Sequence, residues 1–316
     1  MASRRKSSSY RGKKRTRRTA RRSSYIGKTR RSTSRKFSRR PMTKKRILNT
    51  TSRKKRDTML GVTNTTTAGA SGPVTQSNLY VNGGGAGTVN LQGYVLFCPT
   101  ARDLVQLGGS SGTVVQDAMR TSRTAYMRGL SEHLRIQTNS AAPWLWRRIC
   151  FAAKGNVFRN YVSADTPTTT NLNYAELSNG YVRLAINQVV NASPNTQNTM
   201  NATLFKGSQG VDWNDPILAP VDTARVDLKY DKTRRLTSGN QSGMFRETKL
   251  WHPMNKNLTY QDDEYGEQMT SSVFSVDDKR GMGDYFVLDM FSSLLGTSTS
   301  DVLAVTYQAS LYWHEK

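Results

Sequence analysis

Acidic residues are missing from the first 56 positions: that stretch carries 25 Lys and Arg and no Asp or Glu, while residues 57–316 carry 22 of each sign. The formal charge of +25 therefore belongs to one end of the chain. Cysteine is scarce too, with only Cys98 and Cys150, both in apolar surroundings and with no Cys-x-x-Cys. That argues against a disulfide framework and suits buried free thiols. Long apolar runs are lacking, because the densest, residues 285–291, is broken by Asp289 and falls far short of the about 18 residues of a membrane-spanning helix. No apolar segment accompanies the basic run, which speaks against a secretory leader and for a protein made inside the cell.

Histidine is limited to His133, His252 and His314, far apart and outside any nucleophile, zincin or deaminase motif. Gly83, Gly84, Gly85 and Gly87 are not followed by Lys-Ser or Lys-Thr, so they suit a turn better than a phosphate loop. The acidic group Asp262, Asp263, Glu264 and Glu267 lacks the alternation of a calcium loop, and solvation or pairing with Lys or Arg accounts for it better than a cation. The sequence gives no ground for an enzyme, a cofactor or a metal.

What is present at the N-terminus is a polycation. Its apolar residues, among them Tyr10, Tyr25, Ile26, Phe37, Ile47 and Leu48, are too sparse to offset chain entropy, and its like charges repel, so residues 1–56 read as a mostly disordered arm. The clusters Arg4-Arg5, Lys13-Lys14-Arg15, Arg17-Arg18, Arg21-Arg22, Arg30-Arg31, Arg39-Arg40, Lys44-Lys45-Arg46 and Arg53-Lys54-Lys55-Arg56 are spaced irregularly. That suits sequence-independent contact with phosphates, driven by counterion release. Three further readings stay open: stacking of Tyr10, Tyr25 and Phe37 on bases, a solvated charge run, and a bipartite nuclear-import signal in the last two clusters. Seventeen Ser and Thr lie between these charges, and phosphorylation there would loosen DNA.

Residues 57–316 read as one all-β domain, since no linker or charge block divides them. The clearest strand signals are the C-terminus, where Leu303, Val305, Tyr307, Ala309, Leu311 and Trp313 share one parity, and residues 223–231. Residues 93–98, 181–190, 272–276, 124–137 and 245–251 read as further strands, although Glu132 interrupts one apolar parity. Residues 145–153 and 285–291 look buried on both faces. Helix is expected only at 101–107, capped by Thr100, and at 114–120. Arg147 and Arg148 form a basic pair inside a strand, where alternation sends one toward DNA and the other toward a carboxylate. The long polar connections and the five Trp and fourteen Tyr fit contacts between identical copies, or simply a core.

The junction Thr51-Ser52-Arg53-Lys54-Lys55-Arg56-Asp57-Thr58-Met59-Leu60 resembles that of genomovirus capsid proteins, from small circular single-stranded DNA viruses. So do Arg123-Thr124-Ala125-Tyr126-Met127-Arg128-Gly129-Leu130-Ser131-Glu132, Pro143-Trp144-Leu145-Trp146-Arg147-Arg148-Ile149-Cys150-Phe151 and Trp251-His252-Pro253-Met254-Asn255-Lys256-Asn257-Leu258. The resemblance implies a single jelly-roll β-sandwich of two four-stranded antiparallel sheets. It also implies an icosahedral shell, of about 60 copies if it is the smallest full set, around a single-stranded DNA genome. Such a protein resides in the virion and passes through the host nucleus, with import receptors as partners and no membrane. With 25 charges per arm, the shell brings on the order of 1,500 positive charges to its cargo, comparable with the phosphates of a small genome.

Overall fold

A computed structural model of the chain describes residues 42–84 and 91–316. Its strands are β1 (Arg53–Thr65), β2 (Ser71–Thr75), β3 (Leu79–Asn82), β4 (Gly93–Phe97), β5 (Thr124–Thr138), β6 (Trp144–Ala153), β7 (Glu176–Leu177), β8 (Gly180–Tyr181), β9 (Arg183–Ala185), β10 (Asp227–Leu236), β11 (Phe245–Thr259), β12 (Asp263–Tyr265), β13 (Gln268–Thr270), β14 (Asp284–Ser293) and β15 (Val302–Glu315). Two helices accompany them, α1 (Lys44–Thr51) and α2 (Pro194–Leu204). The protein is all-β, built from antiparallel sheets that pack as a sandwich.

The first sheet runs β11-β5-β15-β1-β2, with β3 paired to β15 and β9 lying parallel to β1. The second runs β10-β6-β14-β4. Alternation decides which side chains meet between them. The six residues of β15 that share a parity, Leu303 through Trp313, are all buried. They join Met59, Leu130, Leu134 and Ile136 of the first sheet against Phe97, Trp146, Cys150, Tyr285, Val287 and Phe291 of the second. A one-residue slip of β15 would turn this entire set to solvent, so the core fixes the register.

The second sheet is covered on its other face as well. Leu96, Ile149, Phe151, Leu288 and Met290 pack there against Phe158, Leu172, Leu204, Phe205, Trp213 and Ile217 from the long segment between β6 and β10. β6 and β14 are consequently buried on both sides, mainly by apolar side chains, with Arg147, Arg148 and Asp289 as charged exceptions.

The helices differ from expectation for local reasons. Residues 101–120 form turns, because Asp103 Oδ1 accepts the Val105 N–H at 3.2 Å and closes a turn of its own, while Arg102 and Arg120 are drawn inward onto Asp57 and Asp262. α2 lies in a stretch read as a polar connection. Pro194 opens it, and Asp165 accepts the backbone N–H of Asn195 at 3.1 Å and of Thr196 at 2.6 Å, a cap supplied from 30 residues away. α1 and the start of β1 place regular structure upstream of residue 57. The strand expected at 223–231 begins only at Asp227, since Asp222 organises a turn through Ala224 and Arg225. Residues 181–190 supply only the short strands β8 and β9, and 272–276 holds one isolated bridge at Ser275.

Leu311 on the inner parity is fully buried, whereas Leu60 on the outer face of β1 is 53% exposed. Leu311→Ala is expected to cost about 2–5 kcal/mol in urea unfolding and Leu60→Ala less than about 0.5 kcal/mol. Equal losses would mean that the sheet faces are assigned wrongly.

Candidate nucleic-acid interface

The sequence places its phosphate contacts on Arg and Lys before residue 57. Those from Arg4 to Arg40 lie outside the described residues. Lys44 and Lys45 stand in the first turn of α1, and Arg46 is exposed on the same helix. Arg53, Lys54, Lys55 and Arg56 open β1, and strand alternation separates them. Arg53, Lys54 and Arg56 are exposed. Lys55 turns inward, donating to the carbonyls of Met119 at 2.6 Å and Gln116 at 3.2 Å, with Glu315 at 3.5 Å. It is thus committed inside the fold and does not meet a phosphate.

Arg147 and Arg148 do point to opposite faces of β6, but neither faces solvent. Arg147 is held under the β6–β10 segment by Asp231, at 2.7 and 2.9 Å, and by the carbonyls of Pro216 and Ala219. Arg148 points between the sheets. The expected DNA contact by one of them is corrected: both guanidiniums are buried and both are paired with carboxylates.

Around Arg148 lies a buried cluster that the sequence does not reveal. Arg148 grips Asp289 of β14 with two bonds of 2.7 Å and also reaches Glu132 of β5. Arg183 of β9 donates to Glu132 at 2.8 Å and to Asp289 at 3.2 Å, its guanidinium lying between Phe97 and Tyr307 with both ring centroids at 4.3 Å. Trp146 Nε1 completes the shell of Asp289 at 2.8 Å. Two guanidiniums thus balance two carboxylates across the sandwich. Desolvation alone would raise the carboxyl pKa values, but the Arg148 and Arg183 charges outweigh it and hold both below the ordinary range.

His252 sits beside this cluster, 3.7 Å from Glu132 and 3.6 Å from the Cys150 thiol. A Cys, His and Glu in reach of one another suggest a nucleophile, yet their environment works against one. Burial pushes the Cys150 thiol far up, and burial together with the Arg148 charge pushes His252 down to about 4, so the pair stays neutral where a thiolate–imidazolium pair is needed. Cys150 is also wholly buried. Cys98 and Cys150 are both free. Among the described residues no His, Cys, Asp and Glu group has metal-holding geometry. No helix there is long and apolar enough to cross a membrane. Within the acidic group, Asp262 is buried in a bidentate pair with Arg120, whereas Asp263, Glu264 and Glu267 are exposed around the β12–β13 hairpin.

An accessible cationic surface lies on the outer face of the first sheet, at Lys54 and Arg56. Register aligns Arg56 of β1 with Tyr312 of β15 and Gly129 of β5, and Lys54 with His314 and Tyr126. The Arg56 guanidinium stands 5.5 Å from the Tyr312 ring centroid, and Trp251 of β11 meets that ring edge-on at 5.8 Å. Tyr126 and His314 stand 6.1 Å apart, and Arg128 donates to Asn255 at 2.6 Å. Sequence reasoning named Lys54 and Arg56 but missed the rings beside them, because it followed the apolar parity of β15. The signal lay in the opposite parity, at Tyr312 and His314.

Comparison with family models and with curated proteins gives no match to this sequence.

Arg148→Met removes the shared counter-ion of two buried carboxylates and is expected to destabilise the protein by about 3–5 kcal/mol in denaturant unfolding. A loss below 1 kcal/mol would show that the cluster is not buried as described. His252 stays neutral in the folded state down to about pH 4, whereas an ordinary imidazole titrates near 6.5, so the unfolded chain binds more protons between those values. Stability should therefore fall as pH drops through that window, by up to about 3 kcal/mol. Unfolding curves for His252→Gln should lose most of this slope.

Proposed function

We propose that this protein is the shell subunit of a small icosahedral virus, similar to genomovirus capsid proteins, and that it packages single-stranded DNA. The observation that carries the reading is the one-sided charge: a 56-residue polycation precedes a body with 22 charges of each sign. In this division of labour the arm condenses phosphates and the sandwich builds the container.

The strand order supports a jelly roll. Numbering the long strands β1, β4, β5, β6, β10, β11, β14 and β15 from one to eight, the sheets read 1-8-3-6 and 2-7-4-5. Sequence neighbours thus change sheets at every step except from four to five, which pair within the second sheet, the pattern of two interlocked Greek keys. Exposed apolar side chains on the connections, including Val115 at 89% and Leu218 at 78%, suit contacts with further copies of the chain. Import receptors are the expected partners of the cluster ending at Arg46.

Deleting residues 2–46 is expected to leave a folded body that packages poorly. Negative-stain microscopy and nuclease-protected nucleic acid, compared with the full chain, check this. Particles with an unchanged genome content would refute the division of labour.

A further inference from the structure

Of the five tryptophans, Trp144, Trp146, Trp213 and Trp313 are no more than 8% exposed, whereas Trp251 leaves 50% of its surface in water. Core packing does not account for that indole. It lies flat across its neighbouring strand because Gly129 is there: a Cβ at that position would come within 2.8 Å of the indole Cζ2. Trp251 itself is in register with Ser131, and its indole slants over Gly129, whose own row continues through Tyr312 to Arg56, so ring, ring and guanidinium cross four strands, a span of about 14 Å.

The charge around this row is one-sided. Lys54 and Arg128 flank it, and together they help to lower the pKa of His314, after partial burial, which reports a positive local field. The one carboxylate on the exposed face of these strands, Glu247, is already held by Arg135 at 3.3 Å and lies beside His133. Aromatic rings on a sheet with cations at the margin form the arrangement that accepts unpaired bases, the rings stacking and the cations meeting phosphates. A duplex keeps its bases stacked inward and offers such a surface only its phosphates. Chain continuity adds to this, since Lys54 and Arg56 belong to the strand that the basic arm leads into.

We propose that Trp251, Tyr312 and Arg56, flanked by Lys54 and Arg128, form a stacking platform for unpaired nucleotide bases on the outer face of the first sheet. The proposal rests on the packaging function above, and it adds a structured, strand-selective contact to the arm's unselective one.

The experiment uses the full-length protein with oligothymidylate and, separately, duplex DNA of equal phosphate number, at salt high enough to weaken the phosphate contacts of the arm. Oligothymidylate should quench the water-exposed part of the tryptophan emission, and Trp251→Phe should abolish that quenching. Trp251→Ala should weaken oligothymidylate binding at least about fivefold and leave duplex binding unchanged. Quenching that survives in Trp251→Phe, or equal single-strand affinity in Trp251→Ala, overturns the platform. If the wild-type chain retains neither DNA even at low salt, the packaging reading fails and the platform with it. If it retains both while Trp251 stays silent, only the platform falls.

Discussion

Everything in the sandwich depends on how its buried guanidiniums are satisfied. Arg102, Arg120, Arg148 and Arg183 are each no more than 2% exposed, and each meets a carboxylate. A charge removed from water without a partner costs several kcal/mol, so these pairs leave little freedom in where their strands and loops sit. Arg148 and Arg183 tie β6 and β9 to β5 and β14 across the two sheets. Arg102 and Arg120 pull the irregular segment 101–120 onto the edge of the sandwich through Asp57 and Asp262. The body's most deeply buried cations are in this way neutralised from within, while others stay exposed on the outer face of the first sheet and elsewhere, as at Lys232 and Arg235 of β10.

The same pairing explains what the sequence disclosed and what it hid. β15, β6 and β14 were legible, because each has a clear signal, single-parity alternation in the first and apolar residues on both parities in the others. β5 was legible despite Glu132, and Glu132 breaks the apolar parity because it is the carboxylate that meets Arg148 and Arg183. β1 was hidden, since its opening residues read as the end of a basic run, yet Lys55 and Asp57 turn inward onto Glu315 and Arg102. α2 escaped because its turns carry little apolar periodicity and its cap, Asp165, is remote in sequence.

The basic candidate residues divide along the same line. Local charge density singled out the arm and the junction, and it also singled out Arg147 and Arg148, which the fold uses internally. Charge in a sequence does not distinguish a guanidinium facing solvent from one facing a buried carboxylate 141 residues away, as Arg148 faces Asp289. That Lys54 and Arg56 open two rows of outer-face residues was invisible for a complementary reason. They come from β1, β5, β11 and β15, and only the antiparallel register assembles them.

On the proposed reading these constraints couple assembly to cargo. Bodies carrying 22 charges of each sign have no net repulsion to overcome when they meet, but each brings an arm of 25 cations. Gathering many arms in a closed volume without counter-charge is strongly unfavourable, and small ions screen the repulsion only beyond about 8–10 Å. Phosphates supply that counter-charge and release their own condensed ions as they do so. A stacking surface on the sheet that the arm leads into adds what the arm lacks, a preference for strands with bases free. Unselective attraction would then gather the polyanion while the structured face distinguishes a single strand from a duplex.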